Sequence, residues 1–295
     1  MRFGTYLVKR KLARTAFHGA DGWQQWLDTL TSMGGASSRY VPAKGVEYTR
    51  LTVAGVPVER WTPSEDRGDL FYLHGGMYTC PLTDAYRKVA EYIALCTHRT
   101  VYAPDYAVYP NVYPVAIDEV KAVWRALASP HTVLLGDDAG GNLATVLSMQ
   151  LRDEGSVTPA TLLLISPLTD ATCSGESYYD NYYLDPIGGQ KALGGKDIKD
   201  GMADSPLWRY AGELPPQSSR VSPLWGRLSD MPPTFVVVGG EEVWRSDGER
   251  LVKAIQAKGG RADVLVGEEL WHCYPLSFAV SREAKDAFRW LFDRI

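Results

Sequence analysis

The chain has 295 residues, 45% of them hydrophobic, and a formal net charge of −4. That apolar content supports a sizeable buried core and argues against disorder. The mild acidity leaves no broad basic field for a nucleic-acid partner. Along the chain, Arg2, Lys9, Arg10, Lys11 and Arg14 precede the first acid, Asp21. An organellar transit segment or a membrane-touching helix is one reading of this run, and a solvated helix face is the favoured one. No signal-peptide core is visible, and no apolar run reaches the roughly 18 residues that span a bilayer. Stable membrane insertion is therefore not expected, and a cytoplasmic location is. Residues 46–53 and 56–61 are β-rich runs around Ala54-Gly55 and read as an opening hairpin. Further strands are expected at 70–73, 100–103, 132–135, 161–165, 234–238 and 262–266. Helices are expected at 85–97, 115–128, 140–152, 248–258 and 281–295. This alternation predicts an α/β fold with a mostly parallel sheet and helices on both faces.

Two segments break the alternation: residues 1 to about 45, and about 172–220, rich in Tyr, Gly, Asp and Pro. Both are long for plain connections and are expected to form a lid within one domain, 1–295. Ligands of open α/β sheets bind beyond the carboxyl ends of the strands, where such a lid would shape a pocket. The four cysteines, Cys80, Cys96, Cys173 and Cys273, are scattered with no Cys-x-x-Cys. They read as free thiols in a reducing compartment, with two disulfides as the alternative.

Glycine-rich turns follow two of the expected strands. One is "LHGGMYTCP", with His74, Gly75 and Gly76; the other is "LLGDDAGGNLA", residues 134–144. Glycine at a strand end permits a sharp turn and frees backbone N–H groups that can hold a developing oxyanion. A Gly-x-Ser-x-Gly elbow would carry serine at 138, and this chain carries Asp138. Downstream acids (Glu241, Glu242, Asp247) and His272 complete the order elbow, acid, histidine of α/β hydrolases.

With these motifs the chain resembles the hormone-sensitive-lipase-like family of α/β hydrolases from about residue 68 to 280. His74-Gly75-Gly76 matches the family's oxyanion-hole signature. "APDYAVYP" keeps Asp105 and Tyr106 of its Asp-Tyr-Arg-Leu-Ala-Pro-Glu region and loses the Arg and Glu. "GDDAGGNLA" matches Gly-Asp-Ser-Ala-Gly-Gly-Asn-Leu-Ala everywhere but at Asp138; "ISPLTD" and "VSPLWG" also fit. A gapless match over "PPTFVVVGGEEVWRSDGE" puts Glu242 at the acid, and "WHCYPL" puts His272 at the base. The resemblance implies an α/β-hydrolase fold with a helical cap, and an oxyanion hole at Gly75, Gly76 and Ala139. Of the other histidines, His18, His98 and His131 read as surface or lid positions and His74 as a loop-shaping residue. Asp137 is ordinary for the family, and Cys273 reads as a small hydrophobe.

An aspartate at the elbow changes the chemistry. If Asp138 attacked an ester carbonyl, the intermediate would expel the carboxylate rather than the alkoxide. The conjugate acids differ by about twelve pKa units, or roughly 16 kcal/mol in water. A carboxylate is competent against an sp³ carbon in a strained ring or bearing a leaving group. The expected enzyme is thus a hydrolase of a small, mostly apolar substrate, resembling epoxide hydrolases and haloalkane dehalogenases in its nucleophile. Asp138 forms an alkyl ester, and His272, backed by Glu242, activates the water that cleaves it. With Asp138 and Glu242 both ionised, His272 is biased toward imidazolium. A proton donor is expected among Tyr78, Tyr178, Tyr179, Tyr182 and Tyr183. Three alternatives remain at this point: a carboxylesterase whose serine was replaced, by engineering or drift; a lyase or isomerase using Asp138 and His272 as acid and base; and a non-enzymatic ligand-binding module. Neither a metal nor a nucleotide cofactor is expected. The oligomeric state is open, a homodimer being one option.

Overall fold

The computed structural model describes residues 3–15, 40–190, 193, 195–203 and 206–295. Of the expected lid, residues 1–2 and 16–39, with His18, and 191, 192, 194, 204 and 205 lie outside the described residues. A helix, α1 (Phe3–Thr15), precedes residues 16–39. The eight strands are β1 (Val46–Val53), β2 (Val56–Pro63), β3 (Asp69–Leu73), β4 (Thr100–Pro104), β5 (Val133–Asp137), β6 (Thr161–Ile165), β7 (Thr234–Gly239) and β8 (Ala262–Gly267). The longer helices between and after them are α2 (Asp84–Thr97), α3 (Val115–Leu127) and α4 (Asp138–Asp153). Short helices α5 (Ser177–Asp180), α6 (Ile198–Ala203) and α7 (Pro206–Arg209) follow, and then α8 (Arg245–Gln256) and α9 (Arg282–Phe292).

All eight strands form one sheet in the order β1-β2-β4-β3-β5-β6-β7-β8. The hairpin β1–β2 and the pair β2–β4 are antiparallel, and every pair from β4 through β8 is parallel. Strands β5, β6 and β7 are buried along their whole length, as expected where helices cover both faces of a parallel sheet. On one face Ile117, Val120 and Trp124 of α3, Leu143 and Leu147 of α4 and Leu251 and Ile255 of α8 pack together. On the other, Val89 and Ile93 of α2 meet Ala287, Phe288 and Leu291 of α9. Each fully buried Leu, Val, Ile or Phe contributes about 1.5–3 kcal/mol. The sheet's attachment therefore rests on these stripes more than on local helix propensity.

The chain passes from β3 to β4 on one side of it, then crosses back to β5 on β3's other side. The carboxyl ends of β3 and β5 thus meet at the sheet's switch point, where a crevice opens. The two glycine-rich turns sit there. Helix α4 can start directly under the β3 end because Gly140 has no side chain. A β-carbon on Gly140 would lie 2.0 Å from the Leu73 carbonyl oxygen. All four cysteines are free thiols. No described helix is long and apolar enough to cross a membrane.

Candidate active site

Asp138 directly follows β5 and opens α4 with φ +50°, a left-handed backbone that costs a non-glycine residue strain. That sharp strand-to-helix turn presents its side chain at the top of the sheet, at the positive end of a buried 16-residue helix. The two carboxylate oxygens meet different surroundings. Oδ2 accepts hydrogen bonds from the N–H groups of Gly76 and Met77, both at 2.7 Å. Oδ1 has no hydrogen bond and lies 3.4 Å from Nε2 of His272. The other ring nitrogen, Nδ1, lies 3.2 Å from Oε2 of Glu242.

Local backbone explains the two donors on Oδ2. Gly76, Met77 and Tyr78 all have positive φ (100°, 53° and 57°), which curls successive N–H groups toward one point. Gly75, expected as a donor to the oxyanion, makes no hydrogen bond to Asp138; the N–H groups on Oδ2 are those of Gly76 and Met77. The Gly75 carbonyl lies 2.9 Å from Nδ1 of His74. The Ala139 N–H, next in the chain, favours the charged form of the Asp138 carboxyl. The sequence gives no side-chain sign of Met77's position, because only its backbone takes part.

Burial opposes charge on Asp138. The His272 imidazole and the N–H groups of Met77 and Ala139 outweigh it and hold the carboxyl below its usual range. For His272, burial likewise opposes the charged form; Cys273, Asp138 and Glu242 raise it well above its ordinary value. The Cys273 thiol, its Sγ 3.5 Å from Nε2, is itself pushed up to about 12 by burial. It is neutral near pH 7, so the two carboxylates are the anions that favour imidazolium. Glu242 is raised by burial, with His272 and Ser166 opposing. Asp137, beside the elbow, is raised by burial to about 7, while a 2.7 Å hydrogen bond from the Tyr72 hydroxyl opposes the shift.

The turn after β7 holds Glu242 in place. Asn181 donates to the Gly240 and Glu242 carbonyls, and Asp185 accepts from the Val243 N–H at 2.9 Å. Trp244 tilts against the His272 ring, with centroids 4.5 Å apart. The rival acids are spoken for elsewhere. Glu241 pairs with Lys9 of α1 at 2.5 Å, and Asp247 accepts from the N–H groups of Thr169 and Asp170. His74 is buried and stacks on Tyr106, consistent with a loop-shaping role.

None of the five tyrosines expected as proton donors offers its hydroxyl to Asp138. Tyr78 donates to Asn142 at 2.7 Å and stacks on Tyr210. Tyr178 donates to the Asp170 carbonyl and Tyr182 to the Lys196 carbonyl. Tyr179 and Tyr183 are exposed. Among the described residues no cluster of His, Cys, Asp and Glu could hold a metal ion.

A family model described as an α/β-hydrolase fold matches residues 70–276, which include the elbow, Glu242 and His272. The chain belongs to the α/β-hydrolase-fold family. This hydrolase is 32% identical over 277 residues to LipR of Mycobacterium tuberculosis, provisionally an acetyl-hydrolase, covering 91% of this chain and 84% of that one. It is also 32% identical over 253 residues to an esterase of Acinetobacter venetianus, covering 82% and 79%. An esterase of the bacterial hormone-sensitive lipase family superposes with TM-score 0.84 and 25% identity over 99% of this chain and 97% of that one. The chain is thus a carboxylesterase-like hydrolase whose elbow carries Asp138.

Proposed function

We propose that this α/β hydrolase cleaves small, mostly apolar substrates by attack of Asp138 on an sp³ carbon, followed by hydrolysis of the alkyl ester so formed. The observation that carries this reading is the division of labour between the carboxylate oxygens. Oδ2 already fills the site where an ester substrate would put its carbonyl oxygen. Oδ1 is free of hydrogen bonds and beside His272. An ester carbonyl therefore meets an occupied oxyanion hole and a nucleophile that leaves more readily than the alkoxide. A strained ether or an alkyl halide needs neither the hole nor a better leaving group from the enzyme.

In the first step a lone pair on Oδ1 forms the new C–O bond and the leaving group takes the breaking bond's electrons. Alkylation removes the charge on Asp138, which lowers the proton affinity of His272 and frees it to act as a base. In the second step His272 takes a proton from water, and the hydroxide adds to the carboxyl carbon. The negative charge then forms on Oδ2, where the Gly76 and Met77 N–H groups await it. Collapse releases the alcohol, which takes its proton from His272, and restores Asp138.

The His272→Gln variant should stall after the first step. Incubated with styrene oxide or 1-bromohexane, it is expected to gain the mass of one alkyl group on the peptide containing Asp138. An unmodified peptide with both reagents overturns the proposal.

The names of the relatives favour a second reading, an esterase frame in which aspartate has replaced serine and ended ester hydrolysis. Asp138→Ser tests it: rapid hydrolysis of p-nitrophenyl acetate by the variant, together with no alkyl adduct on the unsubstituted chain, would support that reading over ours.

A further inference from the structure

His272 and Glu242 stand on separate loops, after β8 and after β7, yet their side chains must meet within hydrogen-bond reach for the histidine to work as a base. Asn181 and Asp185 hold the acid's turn. The anchor on the histidine's side comes from β6.

We infer that Ser166 is a positioning residue for the His272–Glu242 pair: its hydroxyl accepts from the Cys273 N–H and turns its own proton to the Glu242 carboxylate. Ser166 directly follows β6 and is fully buried. Its N–H donates to the Val237 carbonyl of β7 at 2.7 Å. Its Oγ accepts from the Cys273 N–H at 3.0 Å. Cys273 is the residue after His272, so this bond fixes the backbone one peptide from the residue that carries the imidazole. A single residue thus ties β6 and β7 to the loop after β8, where the base sits.

Ser166 holds φ +46°. Glycine takes that conformation freely and serine is strained in it, so what serine adds here is its hydroxyl. A hydroxyl has one proton to give as well as lone pairs to accept with. Once it has accepted from Cys273, a buried O–H without an acceptor would be unfavourable. Oε1 of Glu242 is the complementary case, a buried carboxylate oxygen that no other group serves. Ser166 does act on this acid. With His272 it favours the charged form of Glu242, against burial and the Asp185 charge. The two contacts have separate consequences. The bond from Cys273 holds the histidine loop, and the hydroxyl proton keeps Glu242 an anion, with Oε2 3.2 Å from Nδ1.

Two variants test this, Ser166→Gly and Ser166→Ala. Glycine relieves the left-handed backbone while removing the hydroxyl, so a loss seen in that variant is not a loss of fold. The Glu242 carboxyl is titrated through its carbon-13 shift. In both variants its pKa is expected to rise by about one unit or more, because a donor to the charged form is gone. Both variants are also incubated with styrene oxide and followed by intact mass. Alkylation of Asp138 is expected at the parent rate, and hydrolysis of the ester about 10–10²-fold more slowly, so that the adduct accumulates. This second measurement rests on Asp138 being the nucleophile; the titration does not. An unchanged Glu242 titration in both variants overturns the role of Ser166. So does hydrolysis at the parent rate in both while His272→Gln traps the adduct, and the nucleophile then stands. Failure of His272→Gln to form any adduct overturns the nucleophile, and the carboxyl titration alone then decides for or against Ser166.

Discussion

At the scale of the residue, Asp138 and His272 set each other's charge. Their 3.4 Å approach in a buried site favours carboxylate beside imidazolium, with Glu242 on the far nitrogen. Removing the Asp138 charge should therefore lower the His272 pKa. In Asp138→Asn a fall of about 1–3 units is expected, read from the imidazole nitrogen shifts on pH titration. An unchanged value would mean that Glu242 alone holds the proton on His272. The serine-to-aspartate difference at the elbow was plain in the sequence. That one oxygen of Asp138 would accept from Gly76 and Met77 was not, because those partners are backbone N–H groups.

At the scale of the element, the elbow depends on how closely α4 approaches β3. A β-carbon on Gly140 would collide with the Leu73 carbonyl at 2.0 Å, and the contact is with backbone that cannot swing aside. Gly140→Ala is expected to cost about 3 kcal/mol or more, seen as a lower denaturant midpoint or as insoluble protein. A midpoint close to that of the parent would contradict this packing. The strands were legible because each carries a short apolar run bounded by turn residues, and all eight lie where the pattern puts them to within two residues. Helix ends were less legible. Helix α4 begins at Asp138 rather than 140 because the strained elbow residue is itself its first turn, and no propensity argument starts a helix there. Helix α8 begins at Arg245, three residues before the apolar stripe shows itself. The short helices between 172 and 220 leave almost no periodic signal, since a single turn shows no repeat.

At the scale of the whole molecule, buried acids tie stability to pH. Burial raises Asp247 to about 8 and Asp137 to about 7. An unfolded aspartate titrates near 3.9. An acid whose folded value is raised stabilises the fold fully below the unfolded value, and that contribution is lost as pH rises through the folded one. Asp138 has the opposite sign. Its lowered value gives stability above pH 4 that is lost in acid. Between about pH 4 and 8 the raised pair should make the melting temperature decline. Asp247→Asn keeps an oxygen for the Thr169 and Asp170 N–H groups and cannot ionise. Its stability relative to the parent is expected to rise between pH 5 and pH 9, by up to about 4 kcal/mol for the three pH units below the folded value. Equal stability at both pH values would mean that Asp247 never carries its proton in the fold.

The same molecule-wide question, what a complete hydrolase frame does with a carboxylate at its elbow, comes down to where water attacks. A single turnover of styrene oxide in oxygen-18 water, with enzyme in excess, answers it. Attack at the Asp138 carboxyl carbon puts the label into the peptide containing Asp138 and leaves the first-turnover diol unlabelled. Label in the diol, with none in that peptide, would contradict a nucleophilic Asp138.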